Sequence, residues 1–62
     1  NRNILLADMP HYAATLKAGG TLLMSGILES DIDSITARAE ELGMRRVEVR
    51  LRNGWAMVRV EK

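Results

Sequence analysis

Leu16-Lys17-Ala18-Gly19-Gly20-Thr21-Leu22-Leu23-Met24-Ser25-Gly26-Ile27-Leu28 is the stretch on which the fold turns. It reads as a helix that ends on a glycine pair and turns sharply into an apolar strand. Adjacent glycines supply the left-handed residue that closes a helix and the free dihedral that re-aims the chain. The strand is expected over Thr21 to Ile27, nearly continuously apolar up to Ser25, as strands covered on both faces are. Gly26 near its end implies close approach by another backbone or a ligand.

Upstream, Leu5, Met9, Tyr12 and Leu16 recur at spacings of four, three and four, with Ala13 widening the stripe. That is one face of a helix. Pro10 lies inside the pattern, lacks an amide donor and crowds the carbonyl four residues before it. A kinked helix, or two short ones restarting at an Asp8 cap, is therefore expected between about Asn3 and Lys17. Downstream, Ser30 and Asp33 suggest a capping box, with Asp31 favourably placed near the positive end of the helix dipole. Ile32, Ile35, Ala39 and Leu42 carry the apolar stripe of this second helix, and Gly43 closes it.

The last third reads as a hairpin about Asn53-Gly54, the preferred pair for a two-residue turn with positive φ at both positions. A regular register from that turn places Leu51 opposite Ala56, Val49 opposite Val58 and Val47 opposite Val60 on one side. The other side pairs Arg52 with Trp55, Arg50 with Met57, Glu48 with Arg59 and Arg46 with Glu61. Burying a valine or leucine is worth about 1.5–3 kcal/mol and a cross-strand charge pair roughly 0.2–1, so burial decides which face goes inward.

Composition narrows the function classes. A chain of 62 residues is at most one small domain with a marginal core. It has no cysteine and a single histidine, His11, so neither a disulfide nor a Cys/His zinc site is available to support it. A partner, or a remainder beyond this stretch, must then supply what the core lacks. The chain opens on Asn1 without a methionine and enters helix almost at once, and it is expected to be a piece of something longer. No apolar run reaches the roughly 20 residues of a membrane span, and no signal peptide is visible; a cytoplasmic setting is expected. Charge is divided along the chain: residues 1–43 carry three basic and six acidic side chains, residues 44–62 six basic and two acidic.

The order helix, strand, helix, strand, strand, with the last two a hairpin, resembles the ending of the class I S-adenosylmethionine-dependent methyltransferase fold. Leu16-Lys17-Ala18-Gly19-Gly20 is similar to the Leu-Lys-Pro-Gly-Gly stretch before the fifth strand of those enzymes, with Ala18 in place of the proline. Leu23-Met24-Ser25-Gly26-Ile27-Leu28, the opening Asn1-Arg2-Asn3-Ile4-Leu5 and the Val47-Glu48-Val49-Arg50 strand resemble a narrower family. These are the bacterial methyltransferases that modify the eleventh protein of the large ribosomal subunit. The resemblance covers nearly the whole chain but only the carboxyl-terminal half of a catalytic domain.

It implies an α/β fold: the carboxyl-terminal part of a Rossmann-like methyltransferase sheet, residues 1–62 forming one fragment, with the last strand antiparallel in the middle of three. It implies S-adenosylmethionine as cofactor and amino groups of a ribosomal protein as substrate in the parent enzyme. In that family an Ala-Asn-Ile motif of the active site would end just before Asn1. No glycine-rich first turn for the cofactor occurs here, and the chain alone is expected to bind none and to be inactive. Open α/β sheets bind ligands at the carboxyl ends of their strands, which nominates Ser25, Gly26 and Asn1 as rim residues for substrate. No catalytic, cofactor-binding or metal-ligating residue is assigned within the chain.

Competing readings are plainer. Gly26 could let a helix pack closely on the strand, and Ser25 could satisfy local backbone groups. His11 reads as an ordinary helical residue, Asp31 and Asp33 as capping acids rather than metal ligands, and the four methionines as core fillers. Arg46, Arg50, Arg52 and Arg59 with Trp55 could form a nucleic-acid platform, which would make the chain a small non-catalytic α/β module binding RNA or protein. Glu48 and Glu61 neutralise two of those arginines, and one aromatic ring is a poor stacking surface. A separated fragment is also expected to self-associate through the edge of its first strand or its exposed helix faces.

Overall fold

The computed structural model describes residues 2–62; Asn1 lies outside the described residues. Helix α1 spans Arg2–Thr15, strand β1 Thr21–Leu28, a single 3-10 turn Glu29–Asp31, helix α2 Ile32–Glu41, and strands β2 Arg45–Arg52 and β3 Trp55–Glu61. The sheet order is β1-β3-β2, with β3 antiparallel to both neighbours. The last strand in sequence is thus the central strand in space. Both helices cover one face, where Met9 and Ala13 of α1 and Ile35 and Ala39 of α2 meet Met24, Ile27, Ala56, Val58 and Val60 of the sheet.

Helix α1 is one helix, with Pro10 inside it rather than at a break, and Asp8 caps no fresh start. Proline in a helix interior costs about 3 kcal/mol. Full burial of Met9 and near-full burial of Ala13, on either side of Pro10, hold the segment helical through it. The helix ends at Thr15, before the glycines. Gly20 N–H donates to the Lys17 carbonyl at 2.8 Å and Gly19 has φ +84°, which is a type II turn separate from the helix end. That turn is pinned to the end of β3, for Gly19 N–H reaches the Lys62 carbonyl and Lys62 N–H the Gly20 carbonyl, each at 2.9 Å. The Lys62 ammonium also donates to the carbonyl of Ala13 in the last turn of α1, where a cation is favoured.

Helix α2 carries the stripe its spacing predicts: Ile35 and Ala39 are buried, Ile32 and Leu42 partly so. Its start differs. The 3-10 turn intervenes, Asp31 is the N-cap, and no side chain makes a capping hydrogen bond, so the Ser30–Asp33 box does not form. At the other end Gly43 has φ +83°; its N–H donates to Glu40 and that of Met44 to Ala39. This is the paired arrangement of a Schellman cap.

The hairpin turns at Asn53 and Gly54 with φ +52° and +81°, and the regular register holds from Arg52↔Trp55 through Glu48↔Arg59. It then shifts. Arg46 pairs with Val60 and Arg45 with Glu61, leaving Val47 as the extra residue of a bulge. The pairs Val47–Val60 and Arg46–Glu61 do not form. The bulge turns Arg46 toward the helices, where its guanidinium donates to the Thr36 hydroxyl at 3.3 Å, and leaves Val47 36% exposed.

The face of β1 away from the helices is uncovered. Leu23 and Leu28 stand 61% and 48% exposed, so the strand that reads as buried on both faces is covered on one in this chain.

Candidate functional site

The second bulge builds the site. Met24 pairs with Val58 and Ile27 with Ala56, so Ser25 and Gly26 together oppose Met57 alone. In a regular strand residues three apart point to opposite faces. Here Met24 and Ile27 are both buried on the helix side, which only the inserted residue permits. Gly26 absorbs the irregularity with φ +71°. A Cβ at Gly26 would meet nothing within 4 Å. The close approach of a backbone or helix expected at this glycine is therefore absent; its dihedral, not its size, is what the fold uses.

The open space faces a groove of about 490 Å³ at the carboxyl end of β1. Its walls are Arg2, Asn3 and Leu5 of α1, Ser25 to Leu28 of β1, Asp31 of the 3-10 turn and Trp55 of β3. The hairpin closes one side of it: Leu28 pairs with Trp55, and Glu29 N–H continues the ladder onto the Gly54 carbonyl at 3.0 Å. Arg2 and Asp31, separated by 29 residues in sequence, are joined at 3.2 Å between Nη1 and Oδ1. The Asp31 side chain is largely covered, while Arg2 is about half exposed. Asp31, the N-cap of α2 by position, thus commits its carboxylate to an ion pair across the groove rather than to a capping hydrogen bond. The Ser25 hydroxyl has no protein partner among the described residues, so it does not satisfy local backbone groups.

Ser25 and Gly26 line the groove together with Arg2, Asn3 and Leu5 of α1; Asn1 lies outside the described residues. Arg2, Asp31 and Trp55 are groove residues that the sequence did not mark. Trp55 could have been found by combining the hairpin register with the strand order, which puts it beside Leu28. No spacing rule joins Arg2 to Asp31.

His11 is exposed on α1, and no group of three or more potential metal-ligating side chains occurs among the described residues. The basic hairpin is less free than its composition suggests. Glu48 accepts from Arg50 Nε at 2.7 Å and lies 3.3 Å from Arg59 Nε. The Arg50 hydrogen bond, with the charges of both arginines, holds the Glu48 carboxyl below its usual value against partial desolvation. Arg45 stands 3.9 Å from Glu61, and Arg46 has left this face for Thr36. Of the four arginines of the platform reading, only Arg52 makes no ion pair or side-chain hydrogen bond among the described residues.

A sequence profile described as "Ribosomal protein L11 methyltransferase (PrmA)" matches residues 2–62. The chain is 52% identical over 59 residues to the ribosomal protein L11 methyltransferases of Phocaeicola vulgatus and Porphyromonas gingivalis. To that of Bacteroides fragilis it is 44% identical over the same length. Each match covers 95% of this chain and about a fifth of the relative, 20–21%. The chain therefore belongs to the ribosomal protein L11 methyltransferase family.

Proposed function

We propose that this chain is one wall of the acceptor site in a protein that transfers methyl groups from S-adenosylmethionine to amino groups of ribosomal protein L11. The observation that carries the reading is the bulged, glycine-opened end of β1, facing a groove at the place where open α/β sheets bind ligands. Family membership over residues 2–62 supplies the chemistry. The groove offers a lysine side chain an apolar lining of Leu5, Ile27, Leu28 and Trp55 for its stem. Ser25 and Gly26 form the rim.

The cofactor does not fit this chain. Among the described residues the connection from strand to helix is Glu29-Ser30-Asp31, without glycine, and it builds no glycine-rich turn to hold the methionine and nucleoside parts of the cofactor. Its site belongs to the rest of a protein of the relatives' length, and the chain by itself transfers nothing. β1 is an edge strand here, and in a longer sheet it would pair with a further strand. Separated, it pairs with a second copy, and a concentration-independent monomer in sedimentation would contradict that.

The test is a graft. Residues 2–62 replace the matching segment of the Phocaeicola vulgatus relative, giving an enzyme of full length. Methylation of purified L11 by the graft, together with no binding of S-adenosylmethionine to the isolated chain in calorimetry, is the expected pair of results. A folded graft that leaves L11 unmethylated, or micromolar cofactor affinity in the isolated chain, overturns the reading. The same assays separate it from a binding module working through the hairpin, whose graft would bind RNA and not methylate.

A further inference from the structure

Asp31 is the single carboxylate among the described residues lining the groove, and it is already engaged by Arg2. No other charged or titratable side chain on these elements lines it: Asp8 and His11 of α1, Glu29 of the 3-10 turn, Asp33 of α2, Arg52 of β2 and Arg59 and Glu61 of β3 all lie outside its walls. An entering ammonium therefore meets apolar surface, an indole, a hydroxyl, the amide residue Asn3 and a neutralised ion pair, but no free anion among the described residues. A primary amine attacks carbon only with its lone pair free, so its extra proton has to pass to water first. A carboxylate waiting in the groove would oppose that loss by holding the ammonium form.

We propose that Arg2 is a positioning residue that keeps Asp31 occupied, so that the acceptor groove admits an amino group without trapping it as the ammonium ion. This rests on the acceptor-site reading above. Its reach is specific: removing Arg2 strengthens binding of a charged amine and slows its reaction at neutral pH, a combination that loss of structure does not produce. An opposite charge within about 4–6 Å shifts an ionisable group by 1–3 units, so the lower bound is a tenfold effect on affinity for the charged form.

The experiment uses the full-length graft. Binding of n-butylammonium, a lysine side chain without its backbone, is followed by the Trp55 indole resonance, and the pH dependence of kcat is measured with L11. Arg2→Met is expected to tighten n-butylammonium about tenfold and to move the rising limb of kcat up by about one pH unit. Asp31→Asn, which leaves Arg2 unpaired, should weaken binding and move the limb down. The double variant should return both toward the starting values, which guards against a folding defect in either single change. An Arg2→Met graft whose binding and pH limb both stay put, or whose limb moves down, overturns the proposal. Ser25→Trp, which fills the groove, separates the two levels. If it leaves L11 methylation intact, the acceptor-site reading itself fails; if it blocks methylation while Arg2→Met shifts nothing, only the role of Arg2 fails.

Discussion

Val58 and Val47 look equivalent in the sequence, both apolar positions of alternating strands, yet the structure gives them different weights. Val58 is fully buried at the centre of the sheet, paired to Met24 on one side and Val49 on the other. Cutting it to alanine removes two carbons from a closed site. At about 0.8 kcal/mol per buried methylene plus a cavity contribution, Val58→Ala should cost about 2–3 kcal/mol. Val47 is the extra residue of the β2 bulge and 36% exposed, so Val47→Ala loses little packing and leaves no closed cavity. Its expected cost is below about 1 kcal/mol. Urea unfolding of the two variants in the same full-length graft, compared at equal m-values, reads the difference directly. Equal costs would restore Val47 to the inward face opposite Val60 and refute the register described here.

Three other changes test separate parts of the structure. Gly26→Ala introduces a side chain at φ +71° with no atom to strike, so it should destabilise by about 1–2 kcal/mol from backbone strain alone, with Gly26→Asn milder; equal costs for the two, by urea unfolding, would contradict that origin. Ala18→Pro fills the second position of the type II turn with the residue that turn favours and should raise the unfolding free energy by about 0.4–1 kcal/mol, read as a higher urea midpoint; a lowered midpoint would mean the turn is of another type. Because folding lowers the Glu48 value, its contribution is present above the ordinary carboxylate range and is lost as pH falls through the lowered folded value. Glu48→Gln should therefore flatten the acid limb of stability against pH, and an unchanged limb would show that the Arg50 and Arg59 contacts carry nothing.

Where local chemistry dominates, the chain could be read directly. The Asn53-Gly54 turn permits few geometries, and five pairs of register followed from it, from Arg52↔Trp55 to Glu48↔Arg59. Gly43 and the Ile35–Ala39 stripe likewise set one helix end and one buried face. Departures arose where a tertiary contact outweighed a local preference. Pro10 stays helical because Met9 and Ala13 are held in the core. Val47 is pushed out of alternation where Arg46 reaches Thr36 on α2, a partner ten residues away that no strand pattern announces. Gly26 was visible as an unusual strand residue, but a bulge and a close approach look alike until the neighbours of its missing Cβ are known. Half of the groove was legible for the same reason: Ser25 and Gly26 follow from strand-end position, whereas the Arg2–Asp31 pair is created only by the packing of α1 against α2, which brings two residues 29 apart in sequence together.

A structure of the full-length graft with an L11 segment bound would weigh most on all of this. In it β3 should lie antiparallel between β1 and β2, with the acceptor nitrogen seated among Ser25, Trp55 and the first turn of α1. An acceptor lodged elsewhere on the protein, with that groove empty, would contradict it.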